Sequence, residues 1–337
     1  MKIRIGVVGL GYWGPNYVRN FVRHPDSEVI WGCDLSDKSL NGISQLYPQL
    51  KVTNNYQDLL KDDSIACIVI ATPPATHYEI ANAALKANKH VTVAKPLAIN
   101  LHQAQQLLDL AKEKKLLIYG DLTYLHTGAV KAIKNLIHKG NLGKPLYYDS
   151  VRSNLGLIQK DINVIWDLVP HDLSIIDFCF GLKPQKVFAT ASKHHEYYQT
   201  EEMAHIVINY SNNFIAHIHV SWLSPVKIRT ILIGGSKRMI YFNDIEPDEK
   251  VKIYDKGVDI LSEEITPFKP IYRSGKVTIP KIDNEEALFL EIKDIVNQIS
   301  NKKIYYQNAD VNIRIIKLLE ACDKSIKTGK PITINNF

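Results

Sequence analysis

The chain of 337 residues predicts an α/β protein in two parts. The first part is a doubly wound parallel sheet, and the second is an α+β domain with an open-faced, largely antiparallel sheet. Three observations predict this. Continuous β-branched runs alternate with segments of helical period through the first third. Past Gly120, short strands follow one another with turn residues between them. A glycine-rich turn joins the first strand to the first helix.

Taken in order, "IRIGVVG" is an unbroken β-branched run, as expected of a parallel strand buried on both faces. "WGPNYVRNFVRH" follows with helical spacing, and "EVIWGCD" is the next strand. "IACIVIAT", "HVTVAK" and "LLIYG" are three more strands. The helical segments "YQDLLKDD", "HYEIANAALKAN" and "LHQAQQLLDLAKEKK" precede them in turn. The pattern changes near Asp121, which divides the chain into domains 1–121 and 122–337. "AVKAIKNLIHKG" is a helix stopped by glycine, "KPLYYDSVRSN" a strand, and "WDLVPHDLSIIDFCFG" a second helix closed by glycine. The strands "KVFATAS", "MAHIVINY", "FIAHIHVSW", "IRTILIGG", "MIYFN" and "VKIYD" come next, with "YSNN" and "GGSKR" as hairpin turns. Helices near Glu285–Ser300 and Asp310–Lys327 close the chain.

Apolar residues make up 45% of the chain and charged residues 23%, which is ordinary globular composition. The net charge of +6 comes from scattered lysines. No run mixes basic and aromatic residues, so a nucleic-acid groove is excluded, and the charge reads as solubility with some attraction for anionic ligands. Cys33, Cys67, Cys179 and Cys322 are far apart without a CxxC pair, and buried free thiols in a reducing compartment are expected. The start "MKIRIGVVGLG" runs straight into a strand and no apolar run is long enough to span a membrane, so the expected location is cytoplasmic. His217 and His219 share the polar face of one strand with no further ligands at metal spacing, and no metal is expected. Tyr147 and Tyr148 read as strand packing.

"GVVGLGYWG" places Gly9, Gly11 and Gly14 in a G-x-G-x-x-G pattern between a strand and a helix, the context of a Rossmann dinucleotide site. Gly9 serves the tight turn, Gly11 clears the approach of a pyrophosphate, and Gly14 allows close helix–strand packing. Tyr12 and Trp13 lie within the same loop and count as cofactor contacts. Asp34 ends the second strand, where a carboxylate meets ribose hydroxyls and repels a 2′-phosphate, so NAD is favoured over NADP. "ATPPATHYE" ends the fourth strand, so Thr72 and Pro73 lie along the cofactor. His77 either contacts the cofactor or closes a proline-stiffened loop capped by Thr76.

Lys95 ends a further strand on the ligand-binding edge, where an ammonium near a nicotinamide can hydrogen-bond a substrate oxygen; a plain surface lysine is the alternative. A cis Lys95–Pro96 bond is expected to fix its backbone. In "WDLVPHD", Asp167 and His171 are four apart and share a helix face. Because proline is tolerated in a first turn, Pro170 predicts a helix that begins near Asp167, with His171 near the positive end of the dipole as a neutral proton acceptor. The other reading is a helix cap and a structural histidine.

Together, "GVVGLGYWG", "ATPP…H", "KPLA" and "D-x-x-x-H-D" resemble the Gfo/Idh/MocA oxidoreductases over essentially the whole chain. The resemblance implies a Rossmann domain and a substrate-binding, oligomerising α/β domain that oxidise or reduce a sugar or cyclitol hydroxyl. It implies that Lys95 and His171 touch the reacting hydroxyl, with Asp167 beside them. "GYWGPN", "VRSNLG", "NVIWDLVPHDLSI" and "HVSWLSPVKIR" look most like the branch acting on nucleotide-linked sugars, such as UDP-N-acetylglucosamine 3-dehydrogenases. By that similarity Arg152 and Asn154 are substrate-side residues, and Lys227 and Arg229 meet a diphosphate. The implied function is NAD-dependent oxidation of a ring hydroxyl, at C3, to a ketone. A 3-ketosugar reductase, an inositol or free-sugar dehydrogenase and a non-catalytic NAD sensor are the alternatives. The open sheet implies a homodimer or homotetramer. One departure stands out: the family usually carries Glu before this Lys-Pro, and this chain has Ala94.

Overall fold

The early β-branched runs have no polar face to give to water, so they pair as parallel strands covered on both sides. In this computed structural model, which describes residues 2–156, 161–195, 200–260 and 270–335, the chain opens with β1 (Ile3–Val8), α1 (Gly14–Arg23), β2 (Ser27–Cys33), α2 (Asp37–Leu46), β3 (Lys51–Thr53), α3 (Tyr56–Lys61) and β4 (Cys67–Ile70). It continues with α4 (His77–Lys86), β5 (His90–Val93), α5 (Leu101–Lys114) and β6 (Ile118–Gly120). These strands pair in the order β3-β2-β1-β4-β5-β6, all parallel. This is the doubly wound Rossmann arrangement, with its strand C-termini on one edge.

The next elements are α6 (Gly128–His138), β7 (Pro145–Leu155), α7 (Val164–Phe180), β8 (Pro184–Ser192), β9 (Met203–Tyr210), β10 (Ile215–Ser221) and β11 (Leu223–Gly235). β12 (Met239–Asn243), β13 (Val251–Tyr254), β14 (Gly257–Ile260), β15 (Pro270–Arg273) and β16 (Val277–Thr278) follow. The chain closes with α8 (Ala287–Ser300), α9 (Gln307–Thr328) and β17 (Ile332–Thr333). A nine-stranded sheet runs β16-β13-β12-β11-β7-β10-β9-β8-β17, antiparallel except where β7 meets β10. The "YSNN" turn joins β9 to β10 with Asn212 and Asn213 at φ of 61° and 58°, as a tight hairpin requires. Ala216, Ile218 and Val220 of β10 face inward toward α7, and His217 lies on the exposed face.

Two compact units result: Met1–His126 with Glu285–Glu320, and Thr127–Asn284 with Ala321–Phe337. Residues 285–320 therefore differ from the sequence division, which had placed them in the second part. The reason is apolar burial. Leu288, Ile292, Ile295 and Val296 of α8 join Ile5 and Val7 of β1 and Tyr17, Val18 and Phe21 of α1 in one core. Asn308 clasps the end of β6, accepting from Gly120 N at 2.8 Å and donating to Gly120 O at 3.0 Å. The four cysteines are buried free thiols, and burial pushes Cys33 up to about 11 and Cys67 and Cys179 to about 12. Among the described residues no helix is long and apolar enough to cross a membrane.

Candidate active site

In the first unit, β1 gives way to Gly9 at φ +92°, a conformation that favours glycine. A Cβ at Gly9 would lie 2.5 Å from the Ala71 carbonyl carbon, and one at Gly14 only 1.9 Å from Gly9 O. The protein's own packing demands both glycines. Gly11 differs, because a Cβ there meets nothing within 4 Å. The space over Gly11 is open beside the N-terminus of α1, which has no side-chain cap and no acidic residue in its first turn. Uncapped N–H groups at a helix start receive anions, so this loop fits the pyrophosphate of NAD. Asp34 ties the loop to the end of β2, accepting from Leu10 N at 2.6 Å and Ser36 N at 2.8 Å. Each of its oxygens keeps a lone pair for ribose hydroxyls.

The β4 and β5 loops meet on the same edge. Thr72 is half-buried and Pro73 exposed, with the Thr76 hydroxyl bonding back to Thr72 Oγ1 and Pro73 O, both at 2.8 Å, rather than capping α4. His77 is fully buried, and its ring nitrogens lie 2.8 Å from Pro96 O and 2.8 Å from Thr72 O. Of its two readings, these contacts show the loop closure, with the ring fastening the β4 and β5 loops together. Lys95, next to Pro96 in the second of these loops, is half-buried, and the Lys95–Pro96 bond is cis as anticipated.

Tyr12 is 81% exposed and stacks on the half-buried Trp13 at 6.4 Å. Trp13 Nε1 donates to Asp121 Oδ2 at 3.0 Å, and Tyr17 OH donates to the same oxygen at 2.9 Å. Thr123 N donates to Oδ1 at 2.8 Å, and the Thr123 hydroxyl donates there as well. Asp121 went unnoticed in the sequence, where it marked only a domain boundary.

In the second unit, α7 begins at Val164, three residues before the expected start. The Asn163 side chain sets this start by accepting from Ile165 N and Trp166 N, each at 3.1 Å. Pro170 then lies inside the helix and leaves the Trp166 carbonyl without its N–H donor. His171 falls beyond the first turn, so the helix-dipole ground for a neutral imidazole is lost. The shared face survives: from Val164 to Ile176 only Asp167 and His171 escape full burial. Trp222, itself 1% exposed, donates from Nε1 to Asp167 Oδ2 at 2.9 Å. Trp222 went unnoticed in the sequence, where the need of a buried indole N–H for an acceptor was the signal that could have found it.

Arg152 is not on a substrate surface. It is 3% exposed, with Nε 2.7 Å from Asp172 Oδ2. Tyr148 OH and Ser150 Oγ donate to Asp172 Oδ1 at 2.7 and 2.6 Å. Strand alternation turns residues 148, 150 and 152 of β7 inward together, which is why a side chain expected at the substrate is buried. Their common acceptor is the residue after His171, so the cluster bolts α7 to β7. Asn154 is half-buried, Lys227 is exposed, and Arg229 Nη1 lies 3.5 Å from Asp244 Oδ2. His217 pairs with Asp149 at 2.7 Å, and among the described residues no group of His, Cys, Asp and Glu is arranged to hold a metal.

Two family models match the chain: the NAD-binding Rossmann fold of the Gfo/Idh/MocA oxidoreductases over residues 3–120, and that family's C-terminal domain over 130–241. The chain belongs to the Gfo/Idh/MocA oxidoreductase family. It is 24% identical over 344 residues to the uncharacterized oxidoreductase YdgJ of Escherichia coli, covering 97% of each chain. The match to the myo-inositol 2-dehydrogenase of Thermotoga maritima, 25% over 198 residues, spans 56% of this chain and 58% of that protein. The UDP-N-acetylglucosamine 3-dehydrogenase GnnA of Acidithiobacillus ferrooxidans has the same fold, with a TM-score of 0.80 at 19% identity over 97% of this chain and 98% of that one. This family member is an NAD-binding oxidoreductase, with the family's Rossmann fold in the first unit and its C-terminal domain in the second.

Proposed function

We propose that the chain is an NAD-dependent dehydrogenase that oxidises a ring hydroxyl, at C3, of a nucleotide-linked sugar to a ketone. The observation that carries the reading is the exposure pattern of α7, in which Asp167 and His171 alone keep an open side on an otherwise buried stretch. A sensor that only binds a dinucleotide has no use for such a pair. Gly9, Gly11, Gly14, Tyr12, Trp13, Asp34, Thr72 and Pro73 would hold NAD, which supplies the hydride acceptor. His171 takes the hydroxyl proton as general base. Asp167, fixed by the Trp222 indole, orients the imidazole. By the family pattern Lys95 acts at the same hydroxyl, where its ammonium stabilises the negative charge that develops on oxygen.

The nucleotide-sugar choice is supported by the fold shared with GnnA, by the motifs around Asn154 and Trp222, and by the net charge of +6, which suits an anionic substrate. Lys227 and Arg229 are the proposed diphosphate contacts. NAD over NADP rests on Asp34. A homodimer or homotetramer would cover the outer face of the nine-stranded sheet, where Phe188 is 39% exposed and Val207 and Ile215 are half-buried. A single monomeric species in sedimentation at micromolar concentration contradicts that assembly. The cytoplasm suits four buried thiols. The substrate test is NADH formation with a panel of UDP-sugars, free sugars and inositols. Turnover confined to the UDP-sugars is expected, and turnover with inositol alone overturns the substrate class.

A further inference from the structure

We propose that the stacked histidines His205 and His219 make the pairing of two copies through the outer face of the nine-stranded sheet proton-sensitive. The copies pair when both imidazoles are neutral and part when the stack takes up a proton. The inference rests on the assembly proposed above and names what regulates it. Strand alternation and register lay the outer face out in rows. One row runs from Thr190 of β8 through His205 of β9, His219 of β10 and Val151 of β7 to Thr230 of β11. In the neighbouring row His217 of β10 stands opposite Asp149 of β7, flanked by Val207 and Leu232. These positions carry one carboxylate and three imidazoles, with no lysine or arginine. A face of this composition meets its own image without like-charge repulsion while the imidazoles are neutral, which selects a second copy as the partner.

The histidines are not equivalent. His217 Nδ1 lies 2.7 Å from Asp149 Oδ1, so a proton taken up there has a counter-charge. His205 and His219 are directly opposite on antiparallel strands, and their rings stack at 4.3 Å with planes 25° apart. His219 Nδ1 is buried without a hydrogen-bond partner. The other members of their row, Thr190, Val151 and Thr230, bring no charge, and Asp149 in the next row is engaged by His217. Burial, then the His205 ring, lowers the His219 imidazole below its ordinary range, opposed by the Ala204 backbone. A proton on this stack is therefore uncompensated. An isologous pairing brings the same charge from both sides into one water-poor interface, where it costs more than on a free surface. The sign follows: association holds the imidazoles neutral, so it is complete above their free range and is lost as pH falls through it.

The test is sedimentation of the full chain at about pH 8 and about pH 5, with circular dichroism confirming the fold at both. The dissociation constant of the parent is expected to rise about tenfold or more toward pH 5, as for one proton shed per copy on association. In the double variant His205→Gln, His219→Gln most of that rise is expected to vanish. His217→Gln, which leaves the stack intact, is expected to keep it. A parent whose dissociation constant is the same at both pH values overturns the inference, as does a double variant that keeps the full rise. If the double variant does not fold, His205→Arg places a permanent charge at an exposed position. It is expected to dissociate at about pH 8 as the parent does at about pH 5, and parent-like association there overturns the inference equally. A parent that is monomeric at about pH 8 overturns the assembly reading itself.

Discussion

Two buried polar clusters, one joining α7 to β7 and one at the ends of β5 and β6, are built in opposite ways. Under α7, Asp172 is fully buried and receives Arg152, Tyr148 and Ser150. At the nucleotide edge, Glu291 is equally buried, accepts from Leu122 N and has the Asp121 carboxylate beside it. The first carboxylate is surrounded by donors and bolts a helix to a strand. Burial, and then the Asp121 charge, pushes the second carboxyl well above the usual range. A cluster with a counter-charge resists change in any member. One in which a carboxyl faces another carboxylate is open to improvement by a neutral side chain.

The comparison breaks most visibly at Arg152. Arg152→Leu leaves Asp172 buried without its counter-charge and is expected to destabilise the fold by about 3–5 kcal/mol in urea unfolding. A loss under about 1 kcal/mol would mean the pair is not buried as described. Next in size is Trp222→Phe, which removes the indole donor from Asp167. Its kcat is expected to fall roughly 10- to 100-fold with NAD affinity unchanged, as for a lost hydrogen bond to a charged group; an equal loss in both would show general misfolding. Asp34→Ser removes the carboxylate proposed to repel a 2′-phosphate. The ratio of kcat/KM for NAD over NADP is expected to drop about tenfold, and a constant ratio would remove Asp34 from cofactor choice.

The smallest effect sharpens the contrast. Glu291 has a folded-state pKa above its unfolded value. Its contribution to stability is complete below the ordinary carboxyl range and is lost as pH rises through the raised value. Glu291→Gln removes that proton linkage. The variant is expected to melt a few °C above the parent at pH 8, on the order of the shift for about 1 kcal/mol, with the difference shrinking toward about pH 4.5. A variant that melts lower at pH 8 would show that Glu291 is charged and paired.

How much was legible in the sequence follows the same division. The glycine loop and the parallel strands were readable because they answer to backbone demands: a positive φ at Gly9, a close approach at Gly14, and apolar runs with no polar face. The Asp167–His171 face was readable from helical spacing. Arg152, expected at the substrate by resemblance, and His77, left between a cofactor contact and a loop closure, lie where they do for one shared reason. A neighbouring element supplies each polar side chain with its partner, Asp172 for Arg152 and the Pro96 and Thr72 carbonyls for His77. Pro170 misplaced the helix start because Asn163 caps α7 regardless of the proline. Asp121 was invisible because its partners, Trp13 and Tyr17, are more than a hundred residues away in the chain.

The central claim is that the open face of α7 is chemical rather than structural. It is tested most directly by His171→Ala, comparing NAD affinity by calorimetry with NADH formation from the substrate that gives the parent turnover in the panel. The account predicts NAD affinity within about twofold of the parent and turnover reduced by at least about a hundredfold, the share of a general base. Turnover equal to that of the parent would contradict it.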